Sequence, residues 1–358
     1  MKTILPLKIP VISVYSNIAN MQAILLNYEQ GREWVAQNFI NYFVLYDENL
    51  KEIKPHFISI SDIYFGGNYQ MFSQNIFSPF LFCYSVPIKM MDKVMNLISF
   101  IKESINNDFY INLFVNRKYV KSASYDVDYT HETFIYGYND IEKKVYICDY
   151  FKGSSYDKFE CSYEEIETAF KLCDDYYIAE NKKIPIHSVM LVKYNEFCKM
   201  NIDIQYIKQS LENYLFSVDL QNTFRFLHTS LNRNSMYYWG INSYDAFINY
   251  IDSWFSLYNL ASSKVVNHFQ HLSDHKKSLK FLIELLCENK MIDDKYVTGI
   301  DVIEKSCIVI RNKLIKYRVR GKKVNNKEKI IIMEQLKEIK KFEKNFLLQL
   351  LNVLSNCK

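Results

Sequence analysis

The strongest constraint on this chain is a change of sequence pattern near residue 200. Before it, short runs rich in Val, Ile, Tyr and Phe are interspersed with short helical segments, whereas long stretches after it repeat apolar residues at helical spacing. We therefore predict an α+β domain over residues 1–200 and an all-α helical bundle over residues 201–358. The length of 358 residues is sufficient for two such domains.

The same patterns locate individual elements. A first helix is expected from Ser16 to Gly31, with Ser16 as its N-cap. A later helix shows the capping-box spacing of Ser162 and Glu165. Strands are predicted at 40–46, 56–64, 80–86, 109–115 and 187–194, and helices at 88–105, 161–173, 203–217, 243–258, 263–289, 294–318 and 325–355.

Composition excludes several classes of protein. The net charge of +4 is too mild to indicate a nucleic-acid-binding protein. The eight cysteines contain no CxxC pair, so they predict free thiols in a reducing compartment and not a zinc site or a disulfide framework. We find no P-loop, GxGxxG or HExxH motif, no signal peptide and no membrane-length apolar stretch. We therefore expect a cytoplasmic protein with no cofactor, metal, nucleic-acid or membrane partner.

The segment from His131 to Asp149 predicts a β-hairpin. Two β-rich runs, HETFIYG and KVYICD, flank the polar sequence YNDIEK. A hairpin symmetric about Asp140 places His131 opposite Asp149, with Cβ atoms roughly 5 Å apart. Such a pair is either structural or the base and orienting acid of a hydrolase-type triad.

Ser16 is the candidate nucleophile for such a triad. It stands at the start of a helix, where the positive end of the dipole and free N–H groups favour a nucleophile and its oxyanion. The alternative is an ordinary N-cap serine.

These residues resemble a known family. A nucleophile position in YSNIANMQAILLNY is followed by VNRKYVKSASYDVDYTH, HETFIYGYND and VYICDYFKGSSYDKFECSYEEIETAF. Together with YYWGINSYDAFINYI they resemble the butirosin-biosynthesis H-type family of the papain-like cysteine peptidase and acyltransferase superfamily. The resemblance covers most of the chain, and it implies a papain-like fold followed by a helical extension.

The resemblance also implies a function, with one departure. In that family the nucleophile is cysteine, the base histidine and the orienting residue aspartate, which match Ser16, His131 and Asp149 in position. Serine in place of cysteine fits a native serine acyltransferase, a catalytically silent relative or an engineered replacement. No Gln precedes Ser16 as an oxyanion donor, so a backbone N–H or Asn17 would have to serve.

The implied activity is amide formation in nonribosomal-peptide-type biosynthesis. An acyl group would pass from a carrier-protein thioester, held on a phosphopantetheine arm, through Ser16 to a small-molecule amine. The alternatives are a peptidase or amidase of the same fold and a non-catalytic carrier-binding scaffold. Acyl carrier proteins are acidic, so the basic segment 313–329 is a candidate docking patch, represented by Lys316, Arg318 and Lys322. Solvated helix ends are the alternative for that segment.

A histidine group and one cysteine are weaker candidates for a functional site. His268, His271 and His275 recur on one helix face, which indicates a metal site or, as the simpler alternative, a polar stripe beside the core. Cys148 precedes Asp149 and is expected on the opposite strand face from it.

Overall fold

The fold is described from a computed structural model, which covers residues 1–58, 78–151, 155–179, 182–220, 235–258 and 262–356. The chain divides into two compact units. The first comprises Met1–Arg32 and Tyr69–Lys199, and the second comprises Glu33–Asn68 and Met200–Lys358. The class is α+β, with antiparallel sheets.

Helices and strands follow one another along the chain in this order: β1 (Lys2–Ile4), α1 (Ser16–Leu25), α2 (Glu29–Asn38), β2 (Asn41–Asp47), β3 (Glu52–Ile58), β4 (Leu81–Pro87), α3 (Ile88–Val94), α4 (Leu97–Asn106), β5 (Tyr110–Asn116), β6 (Thr130–Asn139), β7 (Lys144–Phe151), β8 (Ser155–Ser162), α5 (Tyr163–Lys171), β9 (Tyr176–Ala179), β10 (Lys182–Pro185), β11 (Ser188–Tyr194), α6 (Ile204–Leu215), β12 (Ser235–Trp239), α7 (Ser243–Tyr258), α8 (Ser263–Glu288), α9 (Lys295–Val319) and α10 (Asn326–Leu354).

The first unit is built on a seven-stranded sheet with the order β4-β11-β5-β6-β7-β8, in which β1 also pairs with β6. The first half of β6 pairs with β5 and its last residues pair with β1. Gly137 permits this second pairing, because a Cβ atom there would lie only 2.7 Å from the Thr3 carbonyl oxygen. The strand that carries His131 is therefore central in the sheet and paired on both sides.

The predicted hairpin is confirmed as β6 and β7, but its predicted register is wrong. Phe134 pairs with Cys148, where the symmetric hairpin predicts Tyr146. The turn lies later in the chain because the Asn139 side chain accepts hydrogen bonds from two turn N–H groups, and a bulge follows Ile135. Continuing the observed register places Thr133, and not His131, directly opposite Asp149.

Two predicted helices differ at their boundaries. The helix predicted over 88–105 is two helices, α3 and α4, because the Asn96 side chain accepts a hydrogen bond from Ser99 N–H and begins a new helix. Ser16 is the first residue of α1 and not its N-cap, a position that Tyr15 occupies. The helix ends at Leu25 and not at Gly31, which lies within α2. The predicted capping box is confirmed: the Ser162 hydroxyl accepts from Glu165 N–H, and the Glu165 carboxylate accepts from Ser162 N–H.

The second unit contains the helices α6 to α10, whose predicted bounds are confirmed to within two residues. It is not all-α, as the sequence predicted, because β12, β2 and β3 form a three-stranded antiparallel sheet in it. Phe43 of β2 packs against Trp239 of β12 and buries an aromatic cluster there. Residues 33–58, which the sequence analysis placed in the first domain, therefore lie in the second unit. The part of the predicted strand 56–64 after residue 58 lies outside the described residues.

Within the described residues, no helix combines the length and the apolar character that a membrane crossing requires.

Candidate active site

Ser16 meets a carboxylate at the start of α1. Its Oγ–H donates a hydrogen bond to Glu132 Oε1, and the two residues are separated by 116 positions in the chain. The segment around Ser16 is partly exposed, whereas Glu132 is 7% exposed. The second carboxylate oxygen, Oε2, accepts from Asn112 Nδ2 at 3.0 Å. The hydroxyl thus faces a buried carboxylate that a second side chain holds in place.

Glu132 and its neighbour His131 point to opposite faces of the sheet, because successive side chains alternate along a strand. Asn112, which pairs with Phe134, contacts Glu132 on one face. Thr133, on the face of His131, donates its hydroxyl hydrogen to Asp149 Oδ2 at 2.7 Å. The start of α1 therefore lies on the Glu132 face, and the pair of His131 and Asp149 lies on the other.

His131 and Asp149 are close together, but a third side chain lies between them. His131 Nδ1 is 3.8 Å from Asp149 Oδ1. Arg117, which follows β5, donates from Nε to Asp149 Oδ2 at 3.1 Å and from Nη2 to Asp149 Oδ1. Arg117 and Asp149 are each 2% exposed. The bidentate geometry is the strong form of this ion pair.

Arg117 also contacts the His131 ring. Its Nη2 lies 2.6 Å from His131 Nδ1, and the same nitrogen lies 2.9 Å from the Glu132 carbonyl oxygen. A guanidinium can only donate to Nδ1 and a carbonyl oxygen can only accept from it, so the two contacts favour opposite tautomers. Burial lowers the pKa of His131; the Asp149 carboxylate and the Glu132 carbonyl oppose this effect, and Arg117 adds to it. The lowered pKa favours the neutral ring.

Glu132 differs from an ordinary surface carboxyl in that its pKa is raised. Burial raises the pKa of Glu132 to about 7, although the hydrogen bond from Asn112 lowers it. Asp149 raises this pKa further, and Arg117 lowers it. A carboxyl with a pKa near the working pH can accept a proton and return it within one catalytic cycle.

The first turn of α1 adds hydrogen-bond donors beside Ser16. The first N–H groups of a helix have no acceptor within the helix, and Tyr15 at the N-cap does not cap them with its side chain. The first intrahelical bond starts from Ala19 N–H, which donates to the Tyr15 carbonyl oxygen at 2.8 Å. Donors in this position suit an oxyanion that develops next to Ser16.

The other sequence candidates take no part in these contacts. His268, His271 and His275 are buried in the second unit, and burial lowers the pKa of each of them. Within the described ranges, no group of three potential ligands is placed to hold a metal ion. Cys148 is buried, and burial raises the pKa of its thiol to about 12, which makes it a poor nucleophile.

Sequence reasoning missed the two charged residues Glu132 and Arg117 of this cluster, as well as the polar Asn112 and Thr133. Glu132 gave a usable signal, since it is a charged residue inside the β-rich run HETFIYG and had to face something polar. Arg117 gave none, because it lies in a polar loop segment with several other cations.

Comparison with models of known protein families finds no match. Comparison with curated proteins finds no significantly similar sequence. The catalytic roles of Ser16, His131 and Asp149 therefore stay predictions.

Proposed function

We propose that this protein is an acyltransferase that forms amide bonds through an acyl-Ser16 intermediate. The observation that carries the proposal is the partly exposed Ser16 hydroxyl at a helix start, hydrogen-bonded to the buried Glu132 carboxylate. A hydroxyl that donates to a base beside the first N–H groups of a helix is an arrangement suited to nucleophilic catalysis.

The resemblance to the butirosin-biosynthesis H-type family supports the finer parts of the proposal. These are a papain-like first unit, a thioester donor on a phosphopantetheine arm, and an amine acceptor in nonribosomal-peptide-type biosynthesis. Ser16 Oγ attacks the thioester carbonyl, the pantetheine thiol leaves, and the amine then attacks the Ser16 ester. With an amide as the acyl donor and water as the acceptor, the same site is that of a peptidase or amidase of the same fold.

A non-catalytic carrier-binding scaffold is the second candidate. The observation that favours it is Arg117, which holds the Asp149 carboxylate and contacts the His131 nitrogen that a working triad needs as a donor. In that case the hydroxyl of Ser16 is structural and forms no covalent intermediate.

Covalent labelling of Ser16 separates these candidates. The full chain is incubated with a fluorophosphonate or with an acyl thioester of N-acetylcysteamine, and its intact mass is measured. We expect one adduct, mapped by peptide mass to Ser16, and none on Ser16→Ala. Ser16→Cys is expected to acylate faster, because a thiol is partly ionised at neutral pH. If neither the wild-type chain nor Ser16→Cys is modified, the protein is the non-catalytic carrier-binding scaffold.

The carrier partner is tested at the basic patch. Lys316, Arg318 and Lys322 are exposed at the end of α9 and in the turn that follows. We expect charge reversal of all three to weaken binding of an acidic acyl carrier protein at least tenfold, since complementary charge steers such encounters. A matched reversal at the exposed Lys89, Lys93 and Lys199 makes the same change in net charge and is expected to have a smaller effect. Equal effects of the two triple variants in a titration at fixed ionic strength refute a localised patch.

A further inference from the structure

Glu132 is the buried acid that the predicted triad does not use. We propose that Glu132 is the general base that activates Ser16, and that Asn112 is the residue that positions it. The proposal rests on acyl transfer at Ser16 and names the residue that takes the proton.

Hydrogen bonds to both carboxylate oxygens of Glu132 support its assignment as the base. Ser16 Oγ donates to Oε1, and Asn112 Nδ2 donates to Oε2 at 3.0 Å. Asn112 is fully buried in β5, next to the strand that carries Glu132. The carboxylate is thus fixed in rotation, with one oxygen directed at the nucleophile.

His131 does not meet the requirements of a base in this arrangement. A triad histidine donates from Nδ1 to the orienting carboxylate and accepts the nucleophile's proton at Nε2. Here Nδ1 lies 2.6 Å from Arg117 Nη2, and the ring points to the opposite sheet face from Ser16. Asp149 already accepts from Arg117, from Thr133 Oγ1 and from Tyr150 N–H. The Asp149 carboxylate is therefore engaged in holding Arg117.

The charges around Glu132 suit a base that works at neutral pH. Burial is the largest influence and raises its pKa to about 7. The Asn112 amide from β5 and the Arg117 guanidinium act to lower it, and the Asp149 carboxylate from β7 acts to raise it. Below this pKa the acid is protonated and cannot take the Ser16 proton, so activity must rise with pH through the neutral range.

In each half-reaction, the proton that Glu132 takes up is returned before the half-reaction ends. As the Ser16 Oγ–carbon bond forms, Glu132 takes the hydroxyl proton. As the carbon–sulfur bond breaks, Glu132 returns that proton to the leaving thiol. In the second half, Glu132 takes a proton from the attacking amine, the ester bond breaks, and Ser16 recovers its hydroxyl hydrogen.

The test is the rate at which a fluorophosphonate labels Ser16 in the full chain between pH 5 and pH 9. We expect the wild-type rate to rise with an inflection near the pKa of Glu132. Glu132→Gln should lower the rate by about 100-fold or more and abolish the inflection. Glu142→Gln, which removes an exposed acid from the hairpin turn, should leave both unchanged. Unfolding curves establish that each variant is folded.

A second variant keeps the test decisive if Glu132→Gln fails to fold. The hydrogen bond from Asn112 lowers the pKa of Glu132, so Asn112→Ala should move the inflection to higher pH, which a merely structural role of Asn112 does not predict. His131→Gln should keep the inflection. If the inflection follows His131 and is unmoved by Asn112→Ala, Glu132 is not the base although Ser16 is labelled. If wild type labels no more than Ser16→Ala, the proposed acyl transfer itself fails.

Discussion

Replacing Glu343 by Gln is expected to lower the free energy of unfolding by about 3–5 kcal/mol, since it leaves a buried ammonium without its counter-charge. Lys276 Nζ lies 2.8 Å from Glu343 Oε1, and both side chains are completely buried in the second unit. The Tyr214 hydroxyl donates to Glu343 Oε1 at 3.0 Å, and the Tyr244 hydroxyl donates to Oε2 at 2.6 Å. The carboxylate thus connects α6, α7, α8 and α10.

Urea denaturation measures this effect as a change in midpoint at constant slope. Glu334→Gln is the matched control, because Glu334 lies on the same helix and pairs with Lys337 in an exposed position. Its loss should stay within about 0.5 kcal/mol. Replacing Lys276 by Met and Glu343 by Leu together should cost less than either single change, because no unpaired charge then remains. A loss below about 1 kcal/mol for Glu343→Gln contradicts the assignment of Glu343 as the counter-charge that the buried Lys276 requires.

Replacing Arg117 by Met is expected to lower the free energy of unfolding by about 3–5 kcal/mol at pH 8, because it leaves Asp149 buried without its cation. The guanidinium makes two hydrogen bonds to that carboxylate and lies near the stacked Tyr125 and Tyr129 rings, 5.6 and 5.5 Å from their centroids. Lys118→Met, at an exposed neighbour that pairs with Asp128, should leave the stability almost unchanged.

The loss in Arg117→Met should depend on pH. In the wild type the pKa of His131 is lowered, so the folded state binds fewer protons than the unfolded state just below pH 6.5, and this residue adds stability as pH rises to that value. Without Arg117, a protonated His131 can supply the cation 3.8 Å from Asp149. The deficit of the variant should therefore shrink below about pH 6. Unfolding curves at pH 5.5 and pH 8 measure it, and a deficit that grows on acidification contradicts the assignment of this cluster.

Local elements of this protein were predictable because they depend on nearby residues. Apolar residues at helical spacing located α6 to α10, and the Ser162 and Glu165 pair located the start of α5. The β-rich runs on either side of a polar turn identified β6 and β7. Each of these signals is contained within one helix or one hairpin, where residues close in the chain decide the backbone conformation.

Strand pairing between distant segments was not predictable. The sequence pattern places the β12 segment in a helical domain, yet this segment pairs with β2, nearly two hundred positions earlier, and buries Trp239 against Phe43. Periodicity identifies which face of a segment is apolar but not which remote segment covers it. For the same reason the predicted domain boundary near residue 200 agrees with the positions of the helices but assigns residues 33–58 to the wrong unit.

At the candidate site, the residue types and the strand faces follow from the sequence alone. The predicted hairpin puts His131 and Asp149 on one sheet face, and they share a face in the structure, because a register error of two residues preserves the face. The partners of these side chains depend on the tertiary structure. It brings Ser16 to Glu132 across 116 positions, and it inserts Arg117 between the histidine and the aspartate. These contacts form because buried charges must find partners within the fold, and no local pattern records which distant side chain supplies them.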